Sequence, residues 1–143
     1  MTETRTAPSQ FETLRVADVM TIDPVVVRHD DTLETAERLL AAYRVTGLPV
    51  VEPDGRLVGV LSRTDLVPAG GTMRALLREN ARHLRVGELM TTPPITVPMT
   101  ATLLEAARLM HDDRIHRLVA VDENGRPIGV LSASDFVTLI AEG

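Results

Sequence analysis

Gly59-Val60-Leu61-Ser62-Arg63-Thr64-Asp65 returns, 70 residues further on, as Gly129-Val130-Leu131-Ser132-Ala133-Ser134-Asp135. Outward from this pair the likeness runs without a gap. Residues 16–67 lie over residues 86–137, with 21 identities in 52 aligned positions. Met20-Thr21 matches Met90-Thr91, Pro24 matches Pro94, Thr32-Leu33 matches Thr102-Leu103, and Gly55-Arg56 matches Gly125-Arg126. A repeat of this kind says that the fold is two copies of one unit. Each copy is short for a core of its own. The two copies are therefore expected to face one another, share a core and leave two related clefts between them.

Both copies read in the same order. A short apolar segment (Leu14, Val16, Val19, Met20; then Leu84, Val86, Leu89, Met90) is stopped by a proline. Val25-Val26-Val27 and Ile95-Thr96-Val97 read as strands. Helices start at Thr32 and Thr102 and keep apolar residues at helical spacing. Thr102 with Glu105 fits a capping box, and Asp31 with Glu34 is a near equivalent one residue earlier. Two hairpins follow, turning at Asp54-Gly55 and Asn124-Gly125. Ser62-x-x-Asp65 and Ser132-x-x-Asp135 open the closing helices. Strand–helix–strand favours parallel pairing, and the hairpin adds an antiparallel strand. The fold class is α/β (α+β): two pseudo-symmetric units, each a small three-stranded mixed sheet with packed helices. The boundaries are a flexible tail (residues 1–11), a first motif (12–68), a linker (69–85) and a second motif (86–141). The linker opens on Pro68-Ala69-Gly70-Gly71 and continues as a helix over residues 72–84, whose Arg74, Arg78 and Arg82 read as a solvated face before a basic docking stripe.

Composition excludes several functions. The net charge is −5 and only Phe11, Tyr43 and Phe136 are aromatic, which gives nucleic acid neither a basic footprint nor stacking platforms. No cysteine is present, so thiolate metal sites, disulfides and thiol nucleophiles are out. No apolar run approaches the ~20 residues of a membrane span, and the first ten residues carry no signal-peptide pattern. A soluble cytoplasmic protein is expected. No nucleophile–base pair, Walker loop, metal cluster or oriented carboxylate pair stands out, so no enzyme is expected. His29, His83 and His111 lack metal-ligand spacing, and His111 with Asp112 and Asp113 reads as a solvated helix end. No metal is expected.

The order of elements, with Met-Thr-x-x-Pro, Gly47-Leu48-Pro49-Val50-Val51 and the doubled Gly-Val-Leu-Ser-x-x-Asp, resembles the cystathionine β-synthase (CBS) domain family over about residues 12–141. Such domains occur as tandem pairs called Bateman modules. The second motif, through Ile115-His116-Arg117-Leu118-Val119 and Gly129 to Asp135, is similar to the last motif of the AMP-activated protein kinase γ subunit. Copy two departs from the pattern in having Arg117-Leu118-Val119 where copy one has Gly47-Leu48-Pro49. The resemblance implies a regulatory module binding AMP, ADP, ATP or S-adenosylmethionine, with no required cofactor, commonly as a homodimer and acting on a regulated protein that the sequence does not identify. It implies one main cleft built from Thr21, Val25, Val45, Thr46, His116, Arg117, Ser132, Ser134 and Asp135. It implies a second from Thr91, Ile95, Ile115, Ser62, Thr64 and Asp65.

Chemistry fits these roles. One carboxylate matches two vicinal ribose hydroxyls, and hydrogen bonds to a charged acceptor are the stronger kind. Arg117 offers a planar fork to phosphate. Ser62 and Ser132 stand at helix N-termini, where N–H groups favour anions. Val25, Val45 and Ile95 offer apolar walls and strand-edge backbone to adenine. Only the Asp135 cleft has a basic pair, His116 and Arg117, so it is expected to take the charged nucleotide. Plainer readings stand beside these. Ser-x-x-Asp also caps a helix for about 1 kcal/mol, and His116-Arg117 also suits a strand start. An interaction module with vestigial clefts remains the alternative.

Overall fold

The computed structural model describes residues 9–66 and 84–142. Helices α1 (Ser9–Thr13) and α2 (Val16–Val19) lead into strands β1 (Thr21–Ile22) and β2 (Val27–Arg28), helix α3 (Leu33–Tyr43), the hairpin β3 (Gly47–Val51) and β4 (Leu57–Ser62), and helix α4 (Arg63–Leu66). The second copy repeats the series as α5 (Val86–Leu89), β5 (Thr96–Pro98), α6 (Leu103–Asp113), β6 (Arg117–Val121), β7 (Pro127–Ser132) and α7 (Ala133–Glu142). The breaker cluster at residues 68–71, Arg74, Arg78, Arg82 and His83 lie outside the described residues.

The chain divides into two units whose membership crosses the repeat. One holds the described residues up to Asp23 with residues 95–122 and those from 128 onward; the other holds the described residues between 24 and 94 with residues 123–127. Each copy's opening segment thus belongs with the other copy's sheet. In the first unit Val16 N–H donates to Ala101 O at 2.8 Å and Ala17 N–H to Met99 O at 3.0 Å. In the second, Val86 N–H donates to Asp31 O at 2.9 Å and Gly87 N–H to His29 O at 2.8 Å. The bridges Arg15–Thr102 and Arg85–Thr32 are the same exchange seen from either side.

The two cores are matched position for position. Val97, Leu103, Ala106, Met110, Leu118, Ala120 and Leu131 fill the first; Val27, Leu33, Ala36, Leu40, Leu48, Val50 and Leu61 fill the second. Val16 completes the first and Val86 the second, both fully buried. The second unit carries the expected three-stranded sheet, β2-β3-β4, with β2 parallel and β4 antiparallel to β3. The first has four strands in the order β1-β7-β6-β5. Its extra strand is β1, paired antiparallel with β7 at Thr21–Val130 and Ile22–Gly129. The expected strands at Val25-Val26-Val27 and Ile95-Thr96-Val97 both start later, at Val27 and Thr96, and the first is one residue shorter.

Local chemistry explains the ends. Thr32 and Thr102 are the N-caps, accepting from Thr35 N–H and Glu105 N–H at 3.1 Å each. Asp31 is not a cap, because its carboxylate accepts from Arg28 N–H at 2.9 Å. Both helices end on an arginine in the left-handed region, Arg44 (φ 52°) and Arg114 (φ 54°). The hairpins turn on Gly55 (φ 93°) and Gly125 (φ 80°), the backbone sign that a tight hairpin requires. Of the tail expected over residues 1–11, residues 1–8 lie outside the described residues, and the rest is not a loose end. Ser9–Thr13 are helical, and Phe11 is 7% exposed with its ring edge-on to Phe136 at 5.5 Å. An aromatic pair of this geometry adds to burial enough to hold a short helix in place.

Phe11→Ala should therefore cost about 3 kcal/mol of unfolding free energy, read by urea denaturation; a change under about 0.5 kcal/mol would mean the segment contributes nothing to the core. Thr102 N–H donates to Glu105 Oε1 at 2.9 Å, and this backbone bond, with the Thr102 hydroxyl, holds the Glu105 carboxyl below its ordinary value of 4.5. A depressed carboxyl stabilises the fold above the unfolded-state value and loses that contribution as pH falls through the folded one. Glu105→Gln should flatten the acid limb of stability below pH 4.5 and leave its shape near neutrality unchanged, as measured by melting temperature against pH.

Candidate ligand-binding site

Strand alternation sorts β3 and β4 into two faces. Leu48, Val50 and Leu61 point into the core. Gly47 and Pro49, opposite Ser62 and Val60, therefore share the other face. Thr91 joins that face, because it bridges Val60 by a reciprocal pair of backbone bonds at 2.9 and 3.0 Å. In the first unit Leu118, Ala120 and Leu131 are the core side. Arg117, Val119, Val130 and Ser132 take the other, with Thr21 opposite Val130.

At the edge of each face lies the Ser-x-x-Asp turn. Asp65 Oδ2 accepts from Ser62 N–H at 2.8 Å and from the Ser62 hydroxyl at 3.1 Å. The Ser62 proton is thereby committed, so the Thr64 hydroxyl, 2.8 Å away, donates to Ser62 Oγ. Asp135 Oδ2 accepts from Ser132 N–H at 2.8 Å, and Ser132 Oγ meets Ser134 Oγ at 2.8 Å. Capping is thus a real role of both aspartates. It uses one oxygen, and Oδ1 of each keeps both lone pairs free for incoming hydroxyls. Asp65 and Asp135 are half-buried, so their carboxylates are oriented yet reachable.

The first N–H of each closing helix is already taken. Arg63 N–H donates to Thr46 O and Ala133 N–H to His116 O, both at 2.8 Å. With an aspartate also at the third helical position, the anion site expected at Ser62 and Ser132 is reduced by the protein's own carboxylate. Positive charge comes instead from side chains. His116 is exposed. Arg117 is half-buried, and that desolvation pushes its guanidinium below its ordinary value, though arginine stays charged at neutral pH. Arg117 occupies the place that Gly47 has in the other copy.

The residues expected in one cleft are apportioned as follows. Thr21, His116, Arg117, Ser132, Ser134 and Asp135 belong to the first unit, with Ile95 and Ile115. Val25, Val45 and Thr46 belong to the second, with Ser62, Thr64, Asp65 and Thr91. The apolar four do not offer strand-edge backbone: Val25, Val45, Ile95 and Ile115 all lie outside strands. Val45 N–H and Ile115 N–H are spent closing helices, on Leu40 O at 3.1 Å and Met110 O at 3.0 Å. Sequence reasoning did not single out Val60 and Val130, which are partly exposed on the same face as Ser62 and Ser132, while Pro49 and Val119 on that face are buried. Their alternation with Leu48, Leu61, Leu118 and Leu131 was the available signal. An open depression of about 500 Å³ lies elsewhere on the first unit, between Arg15, Ala17, Asp18, Met99 and Thr100. Among the described residues no acidic or histidine cluster is placed to hold a metal, and no helix is long and apolar enough to cross a membrane.

Known proteins share this fold. The CBS domain model matches residues 16–70 and again 86–142. Inosine-5'-monophosphate dehydrogenase of Mycobacterium tuberculosis is 36% identical over 119 residues, 82% of this chain but 21% of that enzyme. The chain thus spans about a fifth of the length of such curated relatives. The uncharacterized protein MJ1426 of Methanocaldococcus jannaschii is 28% identical and matches over 88% of this chain and 90% of its own length. Among solved structures, CBSX2 of Arabidopsis thaliana in complex with AMP is 33% identical, with a TM-score of 0.76 over 90% of this chain and 97% of that one. Two family matches in tandem, on a doubled fold, make the conclusion plain: the chain belongs to the CBS-domain family, as a pair of motifs in one polypeptide.

Proposed function

We propose that this chain is a non-catalytic regulatory module that binds an adenosine nucleotide at the Asp135 turn. The ribose hydroxyls donate to Asp135 Oδ1, and Arg117 with His116 meets the phosphate. Thr21, Ser132 and Ser134 line the same side. The observation that carries the reading is the Asp135 carboxylate, held by Ser132 N–H at 2.8 Å with its second oxygen open, on the sheet face that also bears Arg117. A carboxylate oriented before binding spares the ligand an ordering cost. The AMP complex of CBSX2, at 33% identity, supports the ligand class. S-adenosylmethionine, ADP and ATP share the ribose and are the competitors to compare.

The Asp65 turn has the same carboxylate geometry with Gly47 in place of an arginine. It takes a less charged adenosine compound, or binds more weakly. Output is a change of shape or of partner, with a two-fold homodimer as the working assembly. Support for association comes from α7. Phe136 and Leu139 pack on the core, while Val137 and Ile140 on the same helix are 65% and 58% exposed.

Calorimetry and thermal denaturation test this. AMP at 100 times its Kd should stabilise the protein by about 2.7 kcal/mol. Asp135→Asn, which keeps an acceptor for Ser132 N–H, should lose tenfold or more in AMP affinity, about 1.4 kcal/mol, and Asp65→Asn should leave the tight event unchanged. Equal losses at both positions would remove the asymmetry. No response to any of the four compounds would favour an interaction module with vestigial sites. Arg117→Gln should weaken AMP by about tenfold and adenosine by less than twofold, since a hydrogen bond to a charged group contributes about 1.5–3 kcal/mol only where the phosphate is present.

A further inference from the structure

Two threonines of the candidate sites, Thr21 and Thr91, each follow a methionine, and each of these methionines lies across a glycine. In the second unit Met90 sits over Gly59: a Cβ built on Gly59 would stand 2.6 Å from Met90 Sδ and 2.9 Å from Thr91 O. In the first, a Cβ on Gly129 would overlap Met20 Sδ, and its three nearest neighbours are all atoms of the Met20 side chain. At Gly59 the Thr91 carbonyl leaves no room for a Cβ, and at Gly129 a Cβ would force the Met20 side chain to move. The missing Cβ is what lets the thioether lie flat on the strand. It also lets the following residue reach its partner: Thr91 bonds Val60 in both directions, at 2.9 and 3.0 Å, and Thr21 pairs with Val130. The residue two further along each strand is Ser62 or Ser132, the anchor of the aspartate.

Methionine, threonine and glycine are unchanged in both copies, as are most of the core pairs, although Val19 stands against Leu89, Leu40 against Met110 and Val50 against Ala120. Methionine is unbranched beyond Cβ and spans a flat glycine surface, whereas leucine forks at Cγ and stands off it. Met20 and Met90 are partly buried against their respective cores, so each is clamped from the core side while touching the strand on its other.

We propose that Met20 and Met90 are positioning residues: each thioether, seated on Gly129 or Gly59, fixes the height of the threonine that follows it and so completes the face on which the aspartate turn presents its open oxygen. The inference rests on the nucleotide-binding reading above. It assigns to Met20 an effect on the Asp135 turn alone and to Met90 an effect on the Asp65 turn alone.

The test uses the full chain and AMP as the probe. Met20→Leu conserves volume closely enough to fold and should weaken AMP at the tight site about tenfold, while Met90→Leu changes it by less than twofold, even though both variants melt at similar temperatures. A merely structural role would lower melting temperature without this split. Affinities within twofold of wild type for both variants, or equal weakening by both, overturn the proposal. If wild-type protein binds no AMP, the functional reading has failed, and amide exchange then decides the positioning claim without ligand. Met90→Leu should speed exchange at the Thr91 amide at least tenfold while the Val50 amide, in the same sheet, stays within twofold. Unchanged exchange at Thr91, or equal acceleration at both amides, overturns it.

Discussion

Two backbone bonds close the molecule's two cores: Val16 N–H to Ala101 O and Val86 N–H to Asp31 O. In each, donor and acceptor come from different copies of the repeat. Each donor residue also plants a fully buried valine in the core it joins. A buried N–H left without its acceptor costs about 1–3 kcal/mol, and a buried valine contributes about 1.5–3 kcal/mol. A copy cut from its twin would lose both from its core and would leave its own opening segment without a partner. The four-residue helices that carry these valines, α2 and α5, are far too short to persist alone. They exist because the other copy's sheet receives them. Acidic residues at their third position reinforce the docking, Asp18 accepting from Arg15 N–H at 2.8 Å and Glu88 from Arg85 N–H at 3.1 Å. Duplication here is a folding requirement before it is a source of two sites.

Much of this was readable from residues. The repeat, the helix starts at Thr32 and Thr102, the turns at Gly55 and Gly125 and the mixed sheets all follow from local rules of capping, turn chemistry and periodicity. The exchange did not, because a four-residue apolar segment carries no information about which of two nearly identical sheets will receive it. For the same reason β1 went unread: Thr21-Ile22 becomes a strand only by pairing with β7. Phe11 was taken for tail because it stands alone, and its partner Phe136 is distant in sequence. Of the candidate site, the Ser-x-x-Asp turns were legible as local patterns, and the structure builds both with the serine amide on the aspartate. Val60 and Val130, on the same strands, were not singled out, since an alternating strand shows its core side as leucines and leaves its other face looking unremarkable. The expectation of strand-edge backbone at Val25, Val45 and Ile95 failed because all three lie outside the strands; the Val45 amide closes the preceding helix instead, a consequence of the left-handed Arg44 that no propensity scale marks.

Capping and binding by the aspartates are compatible roles, and the hydrogen bonds show the capping half. A carboxylate has lone pairs enough for two tasks. Spending Oδ2 on the serine amide fixes the direction of Oδ1, and a fixed acceptor discriminates between a vicinal diol and water better than a mobile one does. The same bond places negative charge at a helix N-terminus, where it is favoured, so the orientation is maintained without ligand. What then separates the two turns is not the aspartate but its neighbour on the sheet. Gly47 has no side chain to add to the face, whereas Arg117 adds a half-buried cation. In the proposed reading, the exchange of Thr46-Gly47 for His116-Arg117 is what separates a seat for ribose from a seat for a nucleotide.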